Sequence, residues 1–117
     1  YMDIDEISID ICNQIIKNNG FDVLLINTEN KSNMFKRMIV CSTNNNQQAK
    51  TLAEILKEIN REKIACLHAD GIIKGQWITL DFSDILVQIF TKESRLKYNV
   101  EKLWKDGKNC MVIKNIM

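Results

Sequence analysis

Apolar residues recur along this chain in three patterns, and each pattern predicts a different element. Ile4, Ile7, Ile11 and Ile15 stand three and four apart, the spacing that lays one stripe along a helix. Asp3 with Glu6 forms a capping box and Gly20 offers a C′ stop, so residues 3–19 are predicted as helical. Residues 21–26 form a nearly unbroken apolar run ahead of a polar stretch, 27–33, which predicts a buried strand whose following loop carries Lys31, Ser32 and Asn33 at one rim of a sheet.

A second apolar run at 38–41 leads into Ser42-Thr43-Asn44-Asn45-Asn46, a cluster of residues that cap helices. Asn44 with Gln47 would open a helix reaching Arg61, with Ala49, Leu52, Ala53, Leu56 and Ile59 inward and Lys50, Glu54, Lys57 and Glu58 outward. Residues 64–67 read as a third strand. Two short apolar stretches close together make the third pattern: 77–80 and 85–90 are predicted to pair as an antiparallel hairpin through the acidic turn 81–84. Residues 94–105 place Leu96, Val100, Leu103 and Trp104 on one helical face, and Gly107 offers a stop. The last segment, 108–117, has no clear period and is expected to fray as a tail behind a domain of residues 1–107. The predicted fold class is α/β: a single-domain mixed sheet of about five strands flanked by helices.

The 117 residues are enough for one domain with a sizeable core, and no apolar stretch approaches the roughly 18 residues a membrane span needs. Net charge is only +1, yet residues 1–35 sum to −4, 36–91 to +1 and 92–117 to +4, an electric dipole along the sequence. Cys12, Cys41, Cys66 and Cys110 show no C-x-x-C spacing, which argues against zinc; with no signal-like start, they are expected to stay reduced in a bacterial cytosol or an organelle interior.

A search for enzyme chemistry finds little. His68 is the sole histidine and lacks a neighbouring nucleophile motif. Asp81 and Asp84 are the best carboxylate pair, but a spacing of three across a turn serves turn amides as well as a metal. Glycine occurs only at 20, 71, 75 and 107, so no phosphate-cradling loop can be drawn. Ser42-Thr43-Asn44 ahead of a helix is either an anion site or a plain cap.

The signals for a binding surface are better. If Ile78 and Leu80 face the core, alternation sends Trp77, Thr79 and Asp81 to the other face, and Gln88 shares its own face with Leu86 and Phe90. An indole with a polar N–H in such company suits an interface anchor. Trp104, in contrast, belongs to a stripe that covers the sheet. Arg95, Tyr98 and Lys102 are spaced to form a polar and aromatic strip facing solvent, which is either an ordinary helix face or the rim of a contact.

Trp77, Asp81, Asp84, Val87 and Phe90, followed by Arg95, Tyr98, Glu101, Leu103 and Trp104, appear in an order that closely resembles the ribosomal silencing factor (Iojap-related) family. The resemblance extends from about residue 4 to 104. It implies a factor that binds the large ribosomal subunit through ribosomal protein L-fourteen, blocks joining of the small subunit and so represses translation, with no cofactor, metal or sequence-specific nucleic acid. On that reading Trp77 is the anchor, Thr79, Asp81 and Gln88 surround it, Arg95, Tyr98 and Lys102 form a second patch, and Asp81, Asp84 and Glu101 complement a basic partner. A homodimer through the same face is the competing use. The family is also similar to a minimal nucleotidyltransferase domain without its paired aspartates, which this chain lacks too; an enzyme using Ser42, Thr43 and Asp81, or an RNA-binding module using the basic last third, are the alternatives. The chain departs from the family pattern at Ser83, where glycine is usual, at Gln88, where histidine is usual, and at Ser42-Thr43-Asn44, where the family tends to show Gly-Thr-Ser. If the turn keeps φ > 0, Ser83 should cost ~1 kcal/mol relative to glycine.

Overall fold

Residues 2–113 are described by the structure, a computed structural model. Helix α1, Ile4–Lys17, begins at its capping residue, the Asp3 carboxylate accepting from the Glu6 N–H at 2.9 Å. Its end differs from expectation. The left-handed residue is Asn19, φ 73°, whereas glycine is needed at 20 because a Cβ there would collide with the Ile15 side chain.

Strands β1, Phe21–Asn27, and β2, Arg37–Thr43, pair antiparallel, with an irregularity between Phe21 and Leu24 that holds Asp22 at φ 50°. Helix α2, Asn46–Asn60, is capped by Asn45, one residue later than the spacing predicts: its side chain accepts from the Gln48 N–H, and the Gln48 side chain accepts from the Asn44 N–H. Ile59 is exposed rather than inward. The buried residue at that end is Asn60, whose amide exchanges hydrogen bonds with that of Gln14 and so ties α2 to α1.

Three further expectations are corrected. The third strand, β3, is His68–Asp70, not 64–67. Ile64 and Cys66 do turn toward the core, but the ladder begins only where the Leu67 N–H reaches the Asp81 carbonyl at 2.7 Å. After β4, Trp77–Asp81, and β5, Ile85–Thr91, the predicted single helix is two short ones, α3, Lys92–Tyr98, and α4, Glu101–Trp104, separated by Asn99 at φ 42°. A left-handed residue turns the axis, so the Leu96–Leu103 stripe never forms and both leucines are exposed. Finally, Cys110–Ile113 is a sixth strand, β6, on the outer edge of β1; the rest of the predicted tail, 114–117, lies outside the described residues.

The sheet order is β3-β4-β5-β2-β1-β6, with β2 and β5 parallel and every other pair antiparallel. Alternation splits it into two unlike faces. On the first, Val23, Leu25, Ile39, Cys41, Ile78, Leu80, Ile85, Val87 and Ile89 pack against α1 and α2, with Phe82 closing the hairpin end. Burial in this layer pushes the Cys12 and Cys41 thiols up to about 12. On the second face Ile26, Met38, Val40 and Phe90 are covered by Val100 and Trp104 of the short α3–α4 segment and by Phe35 from the β1–β2 connection, with no long helix over them. One face is sealed by two long helices and the other is half covered.

Candidate functional site

The half-covered face carries the sequence-predicted anchor. Trp77, Thr79 and Asp81 of β4 point to it, opposite Phe90, Gln88 and Leu86 of β5. Both the Trp77 Nε1–H, at 2.9 Å, and the Thr79 Oγ1–H, at 2.6 Å, donate to the Gln88 side-chain oxygen. Two donors converging on one atom fix which end of the amide is oxygen, and its nitrogen has no acceptor among the described residues. The indole is half-buried: its centroid lies 5.0 Å from the Phe90 ring beneath and 5.0 Å from the Tyr98 ring beside it. Tyr98 is itself exposed.

Gly71 supports this arrangement from the loop before β4. At φ 81° it approaches the Trp77 carbonyl so closely that any side chain would displace it. The same loop, with Ile72, Ile73, Lys74 and Gln76, forms an open hollow of about 520 Å³ between Trp77 and Tyr98. A second aromatic pair stands further along the face, Phe35 and Trp104, 5.1 Å apart, near half-buried Leu86 and exposed Leu103. Together these residues give the second face a semi-apolar character edged by polar side chains, a composition that suits an interaction site.

The other predicted site residues divide. Asp81 and Asp84 flank the hairpin turn, where the Asp81 carboxylate accepts from the Ser83 N–H at 2.7 Å and Ser83 takes φ 73°. The Asp84 side chain is exposed, while its carbonyl accepts from the Lys36 and Arg37 N–H groups. Arg95 is not the solvent-facing group its spacing predicts, and Glu101, expected to complement a basic partner, is turned inward with it. They form an ion pair at 2.8 Å with both side chains only 12% exposed, and Arg95 Nη1 donates to the Asp22 carbonyl and the Ser42 hydroxyl. This clasp binds α3 and α4 to β1 and β2 and thereby sets Tyr98 beside Trp77. Lys102 is exposed, on α4.

Sequence reasoning missed Phe35 and the clasp. Phe35 sits in a polar loop with no period to mark it; the clasp had a signal, an arginine and a glutamate on either side of a residue that tolerates the left-handed region. Ser42 and Thr43, the candidates for nucleotide chemistry, are 1% and 0% exposed, with Ser42 holding Arg95 and Thr43 directed at the Asn45 and Phe90 carbonyls. His68 is exposed and lies 3.1 Å from Asp70. Among the described residues no group of three or more His, Cys, Asp or Glu side chains is placed to hold a metal ion.

A family model described as "Ribosomal silencing factor during starvation" matches residues 2–116. The chain belongs to the ribosomal silencing factor family. Relatives in that family include the ribosomal silencing factor RsfS of Bacillus subtilis, 30% identical over 87 residues that make up 74% of each chain. The RsfS of Chromobacterium violaceum is 28% identical over 113 residues, 96% of this chain and 93% of that protein. A crystal structure of a Chromobacterium violaceum protein superposes with a TM-score of 0.84 over 92% of both chains at 27% identity. A Bacillus halodurans crystal structure, at 24% identity and TM-score 0.79, shares the fold. Of the residues that carry the resemblance, Trp77 and Tyr98 lie on the open face, Arg95 and Glu101 beneath it, Asp81 and Asp84 at the hairpin turn, and Val87 in the first-face core.

Proposed function

We propose that this protein represses translation by occupying the large ribosomal subunit, docking through the Trp77 face on ribosomal protein L-fourteen, and that its bulk there keeps the small subunit from joining. The observation that carries this reading is the half-covered sheet face, where an indole stacked on Phe90 and tilted against Tyr98 shares the Gln88 amide oxygen with Thr79, and Asp81 stands further along the same face. A rigid aromatic anchor with a polar surround is the composition of an interaction hot spot. Asp81 and Asp84 at the rim add charge complementarity toward a basic ribosomal protein, which affects the association rate more than the affinity. Steric exclusion requires only that one surface be occupied, so the function needs no catalytic group. No described helix is long and apolar enough to cross a membrane.

Gradient sedimentation with separated subunits tests the proposal: the protein should travel with the large subunit, and its addition should lower the yield of joined ribosomes. Protein remaining at the top of the gradient, or travelling with the small subunit, would refute it. A second copy is the competing occupant of the same face. In that case a dimer in solution would compete with subunit binding, and raising the protein concentration would weaken the binding of each protomer.

A further inference from the structure

The charges that run from acidic to basic along the sequence are sorted by the fold across the sheet. On the first face α1 carries Asp5, Glu6 and Asp10 against a single Lys17, with Asp3 as its cap. On the side of the half-covered face, Lys97 belongs to α3, Lys102 to α4 and Lys105 follows the end of α4, while Lys108, in the turn before β6, stands at the sheet's end beside Asp5 and Arg37; all four are exposed. Lys31, from the β1–β2 connection, joins Lys108 in a hollow that Asn27, Asn30, Asp106 and Asn109 complete.

Among the described residues none of these five ammonium groups is in an ion pair; near the first face Lys57 and Lys63 are paired with Glu54 and Asp10, while Lys17, Lys36 and Lys50 are unpaired but not clustered beside an apolar contact face. Of the nearby acids Glu93, at the start of α3, is exposed, and the other two are engaged elsewhere. Glu101 is buried against Arg95, and the Asp106 carboxylate accepts the N–H groups of Lys108 and Asn109, bonds that hold its carboxyl below the usual range. The strip begins at the candidate dock itself, since Lys97 Nζ lies 5.4 Å from the centroid of the Tyr98 ring. A basic strip left without internal partners beside an apolar contact face is suited to a polyanion that arrives with the partner.

We propose that Lys97, Lys102, Lys105 and Lys108, with Lys31 at the end of the row, form a second contact surface that takes the phosphate backbone of ribosomal RNA next to the protein dock. This rests on the reading above in placing that RNA on the large subunit. The chemistry fits backbone contact rather than base reading. Lysine offers a mobile point charge, and the one arginine of this segment, whose fork could read base edges, is turned inward to Glu101 and Ser42.

The test is the salt dependence of binding to purified large subunits. The variant Lys97→Gln/Lys102→Gln/Lys105→Gln/Lys108→Gln should flatten the slope of log affinity against log salt by roughly 3, the amount that releasing about four phosphate counterions predicts. Lys17→Gln/Lys57→Gln/Arg61→Gln/Lys63→Gln, an equal change in net charge on the other side, should keep the parent slope. A second probe, an RNA duplex of about 16 base pairs, should bind the parent weakly and salt-sensitively and the strip variant not at all. An unchanged slope for the strip variant on subunits, or an equal loss against isolated L-fourteen without RNA, overturns the proposal. Trp77→Ala separates the two readings, because it should lower affinity at every salt concentration and leave the slope intact. If the parent fails to bind subunits but binds the duplex, the docking reading falls and the lysine strip stands; if it binds neither, both fall.

Discussion

Trp77 concentrates the functional argument in one side chain. Alternation along β4 was enough to place it off the main core, because Ile78 and Leu80 leave no other choice of inward face. What the alternation could not show is that the ring has neighbours on two sides, since Phe90 and Tyr98 reach it from β5 and α3. Trp77→Ala should weaken large-subunit binding by ~2 kcal/mol or more, about 30-fold, in a co-sedimentation titration. Circular dichroism should show the fold retained, as the first-face core is untouched. Ser83 is the second residue with a clear consequence. Its φ of 73° meets the condition under which a residue with a Cβ pays the left-handed penalty. Ser83→Gly should therefore raise stability by about 0.5–1 kcal/mol, read as a melting temperature a few degrees higher, even after the greater freedom glycine gives the unfolded chain.

At the scale of elements, the strongly periodic segments were legible and the short ones were not. α1, α2 and the β4–β5 hairpin follow from caps, stripes and alternation, each repeated often enough to define its element. The α3–α4 break depends on a single backbone angle at Asn99, and helical spacing continues across it as if nothing happened. β6 shows no period of its own because only its pairing with β1 makes it a strand, and β3 carries polar residues suited to an edge. The break is held by the Arg95–Glu101 clasp. Arg95→Met should cost roughly 3 kcal/mol in a urea titration, because it strands a buried carboxylate whose Oε1 already has no partner. Arg95→Met/Glu101→Met should recover most of that loss. If Arg95 acts only by placing Tyr98, a cycle with Tyr98→Ala will show the two losses in subunit binding to be non-additive.

For the whole molecule, the two-faced sheet sets the response to alkali. Cys12 and Cys41 lie in the sealed layer with thiols at about 12, against 9.0 for the free group. A folded pKa above the unfolded one means the stabilising contribution is complete below pH 9 and is lost as pH climbs toward 12. The slope approaches 1.4 kcal/mol per pH unit for each thiol. Urea midpoints measured from pH 8 to pH 10.5 should fall, and Cys12→Ala/Cys41→Ala should fall less steeply; equal slopes would show that other groups govern the decline.

The outer neighbour of β1 is supplied from far along the chain, Val23 pairing with Ile113. During synthesis β1 therefore waits with an open hydrogen-bonding rim while nearly all the intervening chain is made. Once α4 is seated on the sheet, closing that rim requires only residues 105–109 to span to the late strand's place. For a repressor of translation, the final stitch of the sheet is then a short, late step that completes a newly made molecule.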